Sequence, residues 1–260
     1  MSKVILVTGG SRGIGAAVSF KAAQLGYKVV INYRRDRNAA DQLLNKLTSA
    51  GKYAIAVQAD VSNEADVIRM FEDVTEQMGS LSALVNSAGV GGKHMLVADF
   101  DRENLELLMK VNVVGTMLCC REAARRMSTN SGGAGGSIVN VSSMAGTIGR
   151  RPGNSAYAAS KAAVDSFSVG FAKEVGTQGI RVNVVRPGVT LTDMTSNVRD
   201  NADIRKSIES TIAMNRTAEV DEMAAPILWL LSKEASFISG SCLDASGGGF
   251  LINARNNLKF

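Results

Sequence analysis

Little in this sequence speaks for metal, disulfide or membrane chemistry. One histidine, His94, stands alone in a glycine-rich stretch of the 260 residues, and no metal-ligand cluster accompanies it. Three cysteines are too few for a disulfide framework, and Cys119 and Cys120 are adjacent within a helical pattern. Such usage suits a reducing cytoplasm. No stretch reaches the roughly 18 apolar residues that a membrane-spanning helix needs. The apolar run near the N-terminus, "VILV", is too short for a secretory signal. The net charge is +5, yet lysine and arginine are scattered. That pattern argues against nucleic acid and suits a small anionic ligand. A second domain is also missing, because composition does not shift along the chain and no period repeats. The reading is one cytoplasmic domain over residues 1–251, then a surface tail over 252–260.

What is present is an alternation. "VILVT" (4–8), "KVVINY" (28–33), "YAIAVQ" (53–58), "LSALVNS" (81–87), "GSIVNVSS" (136–143) and "IRVNVVR" (180–186) read as strands. They are almost continuously apolar, as strands buried on both faces should be. Helix-length patterns fill 13–26, 37–51, 63–79, 101–129 and 155–178. A last helix (220–233) precedes a short strand near 241–245. The predicted fold is α/β: a doubly wound parallel sheet of Rossmann type, with helices on both faces. "STNSGGAGG" (128–136) reads as a flexible loop before the fifth strand.

The turn "TGGSRGIG" places Gly9, Gly13 and Gly15 between the first strand and the first helix. Glycines there let backbone approach a pyrophosphate, and the helix N-terminus offers N–H groups and a positive dipole end. The spacing is G-x-x-x-G-x-G. The second strand ends without the carboxylate that bonds the ribose hydroxyls of NAD. It reads Asn32-Tyr33-Arg34-Arg35, with Asp36 one place too late, and Arg12 lies in the glycine turn. Guanidinium groups bind phosphate by paired hydrogen bonds, so a 2′-phosphate and hence NADP(H) is the match. Asp60, after the third strand, is expected to cap the next helix or to meet the adenine. Asn86, Ala88 and Gly89 form a small-residue turn after the fourth.

The same sheet edge gathers reactive groups. Ser142 and Ser143 end the fifth strand, and Tyr157 and Lys161 stand one turn apart on the following helix. Asn112 lies within the long helix 101–129. A phenol ordinarily holds its proton to about pH 10, and a neighbouring ammonium stabilises the phenolate. The set reads as proton-transfer machinery for a carbonyl and its alcohol.

In order, "TGGSRGIG", "NSAG", "SS…YAASK" and "RPG" resemble the short-chain dehydrogenase/reductase family in its NADP-preferring subgroup, from Val4 to about Gly249. The resemblance implies a catalytic set of Asn112, Ser143, Tyr157 and Lys161, with Ser143 chosen because it precedes "MAG". It extends the expected cofactor contacts to Ser11, Ile14, Val61, Pro187, Gly188, Thr190 and Thr192. It makes 190–216 a substrate lid and implies a homotetramer built on helices 101–129 and 155–178. Val164, Phe167, Val169 and Phe171 of the latter are the expected apolar contacts. Two departures stand out: Ser87 occupies the place of a second asparagine, and "RRPGN" (150–154) lengthens the approach to Tyr157. The expected activity is NADP(H)-dependent oxidation or reduction at a CH–OH/C=O centre. The alternatives are a 3-oxoacyl-[acyl-carrier-protein] reductase and a non-catalytic NADP-sensing module.

Overall fold

The computed structural model describes residues 3–149 and 151–249. The tail and Arg150 of the lengthened loop lie outside the described residues. Seven parallel strands form one sheet: β1 (Val4–Thr8), β2 (Lys28–Tyr33), β3 (Ala54–Gln58), β4 (Leu81–Asn86), β5 (Gly136–Val141), β6 (Ile180–Pro187) and β7 (Cys242–Ala245). Their order is β3-β2-β1-β4-β5-β6-β7. The chain winds outward from β1 in both directions, so the crevice between the ends of β1 and β4 is the switch point where such sheets bind ligands.

The helices are α1 (Gly13–Gln24), α2 (Arg37–Ser49), α3 (Glu64–Met78), α4 (Arg102–Leu108), α5 (Gly115–Met127), α6 (Ala145–Ile148), α7 (Ser155–Val175), α8 (Ser196–Arg199), α9 (Ala202–Glu209) and α10 (Val220–Leu231). One core packs Val18, Leu47 and Ile227 of α1, α2 and α10 against one face of the sheet. The other packs Phe71, Cys119 and Phe171 of α3, α5 and α7 against the opposite face. Burying large apolar side chains at about 1.5–3 kcal/mol each drives both layers together.

The predicted helix 101–129 is three pieces. Met109–Val114, between α4 and α5, is π-helical, the kind of one-turn bulge that often marks a functional site. The predicted flexible loop is a packed turn. A Cβ on Gly133 would fall within 2.4 Å of the Met127 backbone, and one on Gly135 within 2.5 Å of the Gly179 carbonyl oxygen.

Where the strands leave the apolar core, a buried polar row crosses the sheet. Thr8 pairs in register with Asn86, and Asn86 with Asn140. The Thr8 hydroxyl reaches Asn86 Oδ1 at 3.4 Å, Asn86 Nδ2 donates to Asn140 Oδ1 at 2.9 Å, and Asn140 Nδ2 donates to Ser168 Oγ on α7 at 2.8 Å. Each member is paired, as buried amides must be.

Candidate active site

The glycine turn and the small-residue turn fold against each other. Gly9 has φ +61°, and a Cβ there would lie 2.9 Å from Ala88 Cα. Only glycine fits both the conformation and the space. A Cβ on Gly15 would come within 2.3 Å of the Gly9 carbonyl oxygen, so α1 starts pressed onto the turn. Thr8 Oγ1 accepts from the N–H groups of Ser87 and Ala88, both at 3.2 Å. Ser11 and Ile14 flank this bare backbone, and Ile14 also packs on the core. The cradle is shaped for a diphosphate at a helix N-terminus.

Asn32 is buried and holds the turn: its Oδ1 accepts from Gly9 N–H at 3.1 Å, and its Nδ2 donates to the Ala59 carbonyl at 3.1 Å. Tyr33 beside it is buried too, as is Val61, against which Gly115 packs. Asp60 does not cap α3; Asn63 does, accepting from Asp66 N–H. Asp60 instead accepts from the backbone and hydroxyl of Ser62 and pairs with Arg34. Asp36 caps α2 and faces Arg12 at 3.6 Å, and Arg12 lies 4.0 Å from Asp193 of the lid. Beyond Arg34 an open cavity of about 310 Å³ is lined by Arg34, Arg35, Gln58, Asp60, Asp66 and Arg69. The Asp60 N–H, and then Arg69, hold the Asp66 carboxyl below its ordinary range.

At the reactive end, Tyr157 is 7% exposed and Lys161 6%. Lys161 Nζ stands 5.9 Å from the Tyr157 ring centroid and donates to the Val141 carbonyl at 3.0 Å. Ser142 is spent on structure, its hydroxyl donating to the Lys161 carbonyl at 3.0 Å. Ser143 is half-buried, and its Oγ accepts from Ala145 N–H at 3.1 Å. This favours Ser143 as the serine that meets a ligand. Asn112 is 0% exposed. Its Oδ1 accepts from Val90 N–H at 2.8 Å, and its Nδ2 donates to the Val90 carbonyl and to Ser160 Oγ, both at 3.0 Å. Ser160 Oγ in turn donates to the Tyr157 carbonyl at 2.7 Å. A Cβ on Gly89 would meet both Asn112 Oδ1 at 3.3 Å and Lys161 Nζ at 3.5 Å. The π-helix, the β4 turn and α7 therefore converge on one small volume.

Residues 188–192 close the edge. A Cβ on Gly188, which follows Pro187, would come within 2.8 Å of Ser246. Thr190 is buried and bridges to Ala218, and Thr192 stands 3.4 Å from a Cβ on Gly13. The expected set thus follows the carboxyl ends of β1 to β6. Ser160 and Asn104 carry no signal in the sequence, since a serine or asparagine within a helix resembles a surface residue, and Thr8 reads only as the end of the first strand. Cys119 and Cys120 are fully buried, and burial pushes the Cys120 thiol up to about 12. Neither is a nucleophile of this site. Among the described residues no group of side chains could hold a metal, and no helix is long and apolar enough to cross a membrane.

The family described as enoyl-(acyl carrier protein) reductase matches residues 9–249. The chain is 43% identical over 245 residues to the uncharacterized oxidoreductase YgfF of Escherichia coli strain K12, covering 94% of this chain and 99% of that one. It is 37% identical over 248 residues to carbonyl reductase family member 4 of Danio rerio, covering 95% and 98%. To a 3-oxoacyl-[acyl-carrier-protein] reductase of Staphylococcus aureus it is 32% identical over 251 residues, covering 96% and 99%. A short chain dehydrogenase from Burkholderia cenocepacia, solved in complex with NADP, superposes with a TM-score of 0.87 at 34% identity, covering 95% and 97%.

Proposed function

The chain belongs to the short-chain dehydrogenase/reductase family of oxidoreductases, and from that premise we propose that it is an NADP(H)-dependent carbonyl reductase or alcohol dehydrogenase. The observation that carries the reading is the buried pairing of Tyr157 and Lys161 on one face of α7, with Asn112 tied to that helix through Ser160. The glycine cradle and Arg12, Arg34 and Arg35 fit a dinucleotide with a 2′-phosphate. NADP(H), when bound, supplies or accepts the hydride.

The chain's own residues handle the proton. Tyr157 gives its phenolic proton to the carbonyl oxygen as that oxygen gains charge, and takes it back when an alcohol is oxidised. Lys161 stands one turn away on the same face of α7, its Nζ 5.9 Å from the Tyr157 ring centroid. Ser143 holds the substrate oxygen. Asn112 holds Val90 and, through Ser160, the first turn of α7, so the phenol is placed before substrate arrives. Residues 190–216 act as the lid.

A scan of NADPH oxidation against ketones, aldehydes and acetoacetyl thioesters tests this. Turnover of simple ketones or aldehydes is expected; turnover of no carbonyl would refute it and would favour a non-catalytic NADP-sensing module. Reduction of a carrier-bound 3-oxoacyl thioester is the second reading, suggested by the Staphylococcus relative. It ranks lower because the stretches leading into β5 and following α7, 131–137 and 176–179, hold no basic residue to meet an acidic carrier, and the nearby Arg125 and Arg126 are engaged by Glu122 at 2.8 and 2.6 Å.

The assembly is a homotetramer on this reading. Val164 and Phe171 are buried in the protomer's own core, and Phe167 stacks on Phe171 at 5.4 Å. Leu107, Met109 and Val114, along α4 and the π-helix within the expected 101–129 face, are among the exposed apolar residues. Light scattering at micromolar protein should give a tetramer's mass, and a monomer's would refute the assembly. The three cysteines carry no disulfide, which suits a cytoplasmic setting.

A further inference from the structure

The segment after β4 is stitched to the protein at three points. At its start Asn112 brackets Val90. At its end Met95 N–H donates to the Gly153 carbonyl at 3.0 Å. The exposed His94 ring lies over Gly153, so closely that a Cβ there would fall within 2.3 Å of it. Between these points stands Asn104 of α4, buried and outside the reaction described above. Its Oδ1 accepts from Lys93 N–H at 2.8 Å, and its Nδ2 donates to the Met95 sulfur at 3.8 Å. A buried amide is costly unless its bonds are made, and these bonds are made to one short segment.

That segment borders the reaction site on one side and the lid on the other. Val90 packs in the small cluster that holds Tyr157, Leu108 and Ala145. Gly91 faces the lid, with Met194 Cγ 3.7 Å from where a Cβ on Gly91 would stand. Gly92 is pressed onto α4 with φ +69°, and a Cβ there would lie 2.9 Å from Asn104 Oδ1 and 3.0 Å from Leu108 Cδ1. The outer contact, Lys93 Nζ to Asp101 at 2.9 Å, is an exposed pair of little weight.

We propose that Asn104 is a positioning residue that fixes segment 91–95 and thereby sets the width of the passage between it and Met194, and so the size of carbonyl substrate accepted. The inference rests on the carbonyl-reductase reading. It is tested with Asn104→Leu, Asn104→Asp and Gly92→Ala, using NADPH with a four-carbon ketone and an aryl ketone. Asn104→Leu should lower the discrimination between the two in kcat/KM by about fivefold to tenfold, the loss of roughly one buried hydrogen bond. The kcat on the small ketone and the affinity for NADPH should change less than about twofold, and the Lys93 amide should exchange its hydrogen faster. Asn104→Asp keeps the acceptor for Lys93 and should restore that protection and most of the discrimination. Gly92→Ala moves the same segment with Asn104 intact and should also alter discrimination, so the test survives if Asn104→Leu does not fold. Unchanged discrimination in folded Asn104→Leu and Gly92→Ala would overturn the inference alone. Reduction of no carbonyl among the ketones, aldehydes and thioesters, these two ketones included, by the unsubstituted protein would overturn the underlying reading and the inference with it.

Discussion

At the reactive end of the sheet edge, Tyr157, Lys161 and Asn112 are buried, and Lys161 and Asn112 are already bonded to protein partners. At the phosphate end the Arg12 and Arg34 side chains are 59% and 43% exposed, and each faces a carboxylate, Asp36 or Asp60. The two ends are held by different physics. Desolvated, pre-bonded groups need no rearrangement when charge develops beside them. Exposed ion pairs are worth little and are screened, so their partners can be exchanged. On the proposed function, the reactive end would act on arrival, whereas the arginine end would exchange its carboxylates for a better anion. Rate would then depend on the first region, and the choice between dinucleotides on the second.

The sharpest way to break this contrast is Tyr157→Phe. Packing is kept and only the proton donor is removed, so turnover should fall by about 10²–10⁴-fold. Affinity for NADPH, by fluorescence titration, should change less than about twofold. Retention of more than about a tenth of the rate, with chemistry limiting, would make the phenol structural. Lys161→Met should lower both turnover and cofactor affinity, because the ammonium stands beside the Gly89 turn as well as beside Tyr157.

A middle-sized effect is expected at the other end. Arg34→Asp places like charge against a 2′-phosphate and should move the NADPH-to-NADH preference by about tenfold to a hundredfold, the scale of a charged hydrogen bond. The kcat with saturating cofactor should stay near the original value. Equal affinity of the unsubstituted protein for both cofactors would erase the distinction. The smallest effect is salt. Between about 0.05 and 0.5 M the Kd for NADPH should rise about twofold to threefold while saturated kcat holds, since only the exposed end is screened. A matching fall in kcat would place the reactive end in contact with solvent after all.

How far the sequence discloses each region follows the same line. The strands are legible because burial on both faces leaves near-continuous apolar runs; β2 has the bounds its residues predict. Tyr157 and Lys161 are legible because a helix turn fixes their relation. Asn112 was placed on an unbroken helix, since nothing in "KVNVVGT" announces a π-turn; one extra residue per turn leaves no mark in composition. Asp60 reads as a cap or as a partner for the adenine; Asn63 stands three residues before the N–H it accepts and takes the cap. The partners of Arg12 and Arg34 depend on how distant loops meet, and local pattern carries no record of that.

The polar row across β1, β4 and β5 bears on assembly of the sheet before any ligand is present. Val, Ile and Leu are nearly interchangeable to a neighbouring strand, so apolar runs alone would let adjacent strands slide past one another during collapse. Thr8, Asn86 and Asn140 meet only in one alignment, and Ser168 then ties that alignment to α7. A slip by one residue would turn the amides toward the other face, and a slip by two would seat them among aliphatic side chains with their bonds unmade. The row therefore acts as a proofreading mark for strand alignment. Misaligned intermediates are penalised early, and the turns that carry the reactive groups then emerge from β1, β4 and β5 at matching heights.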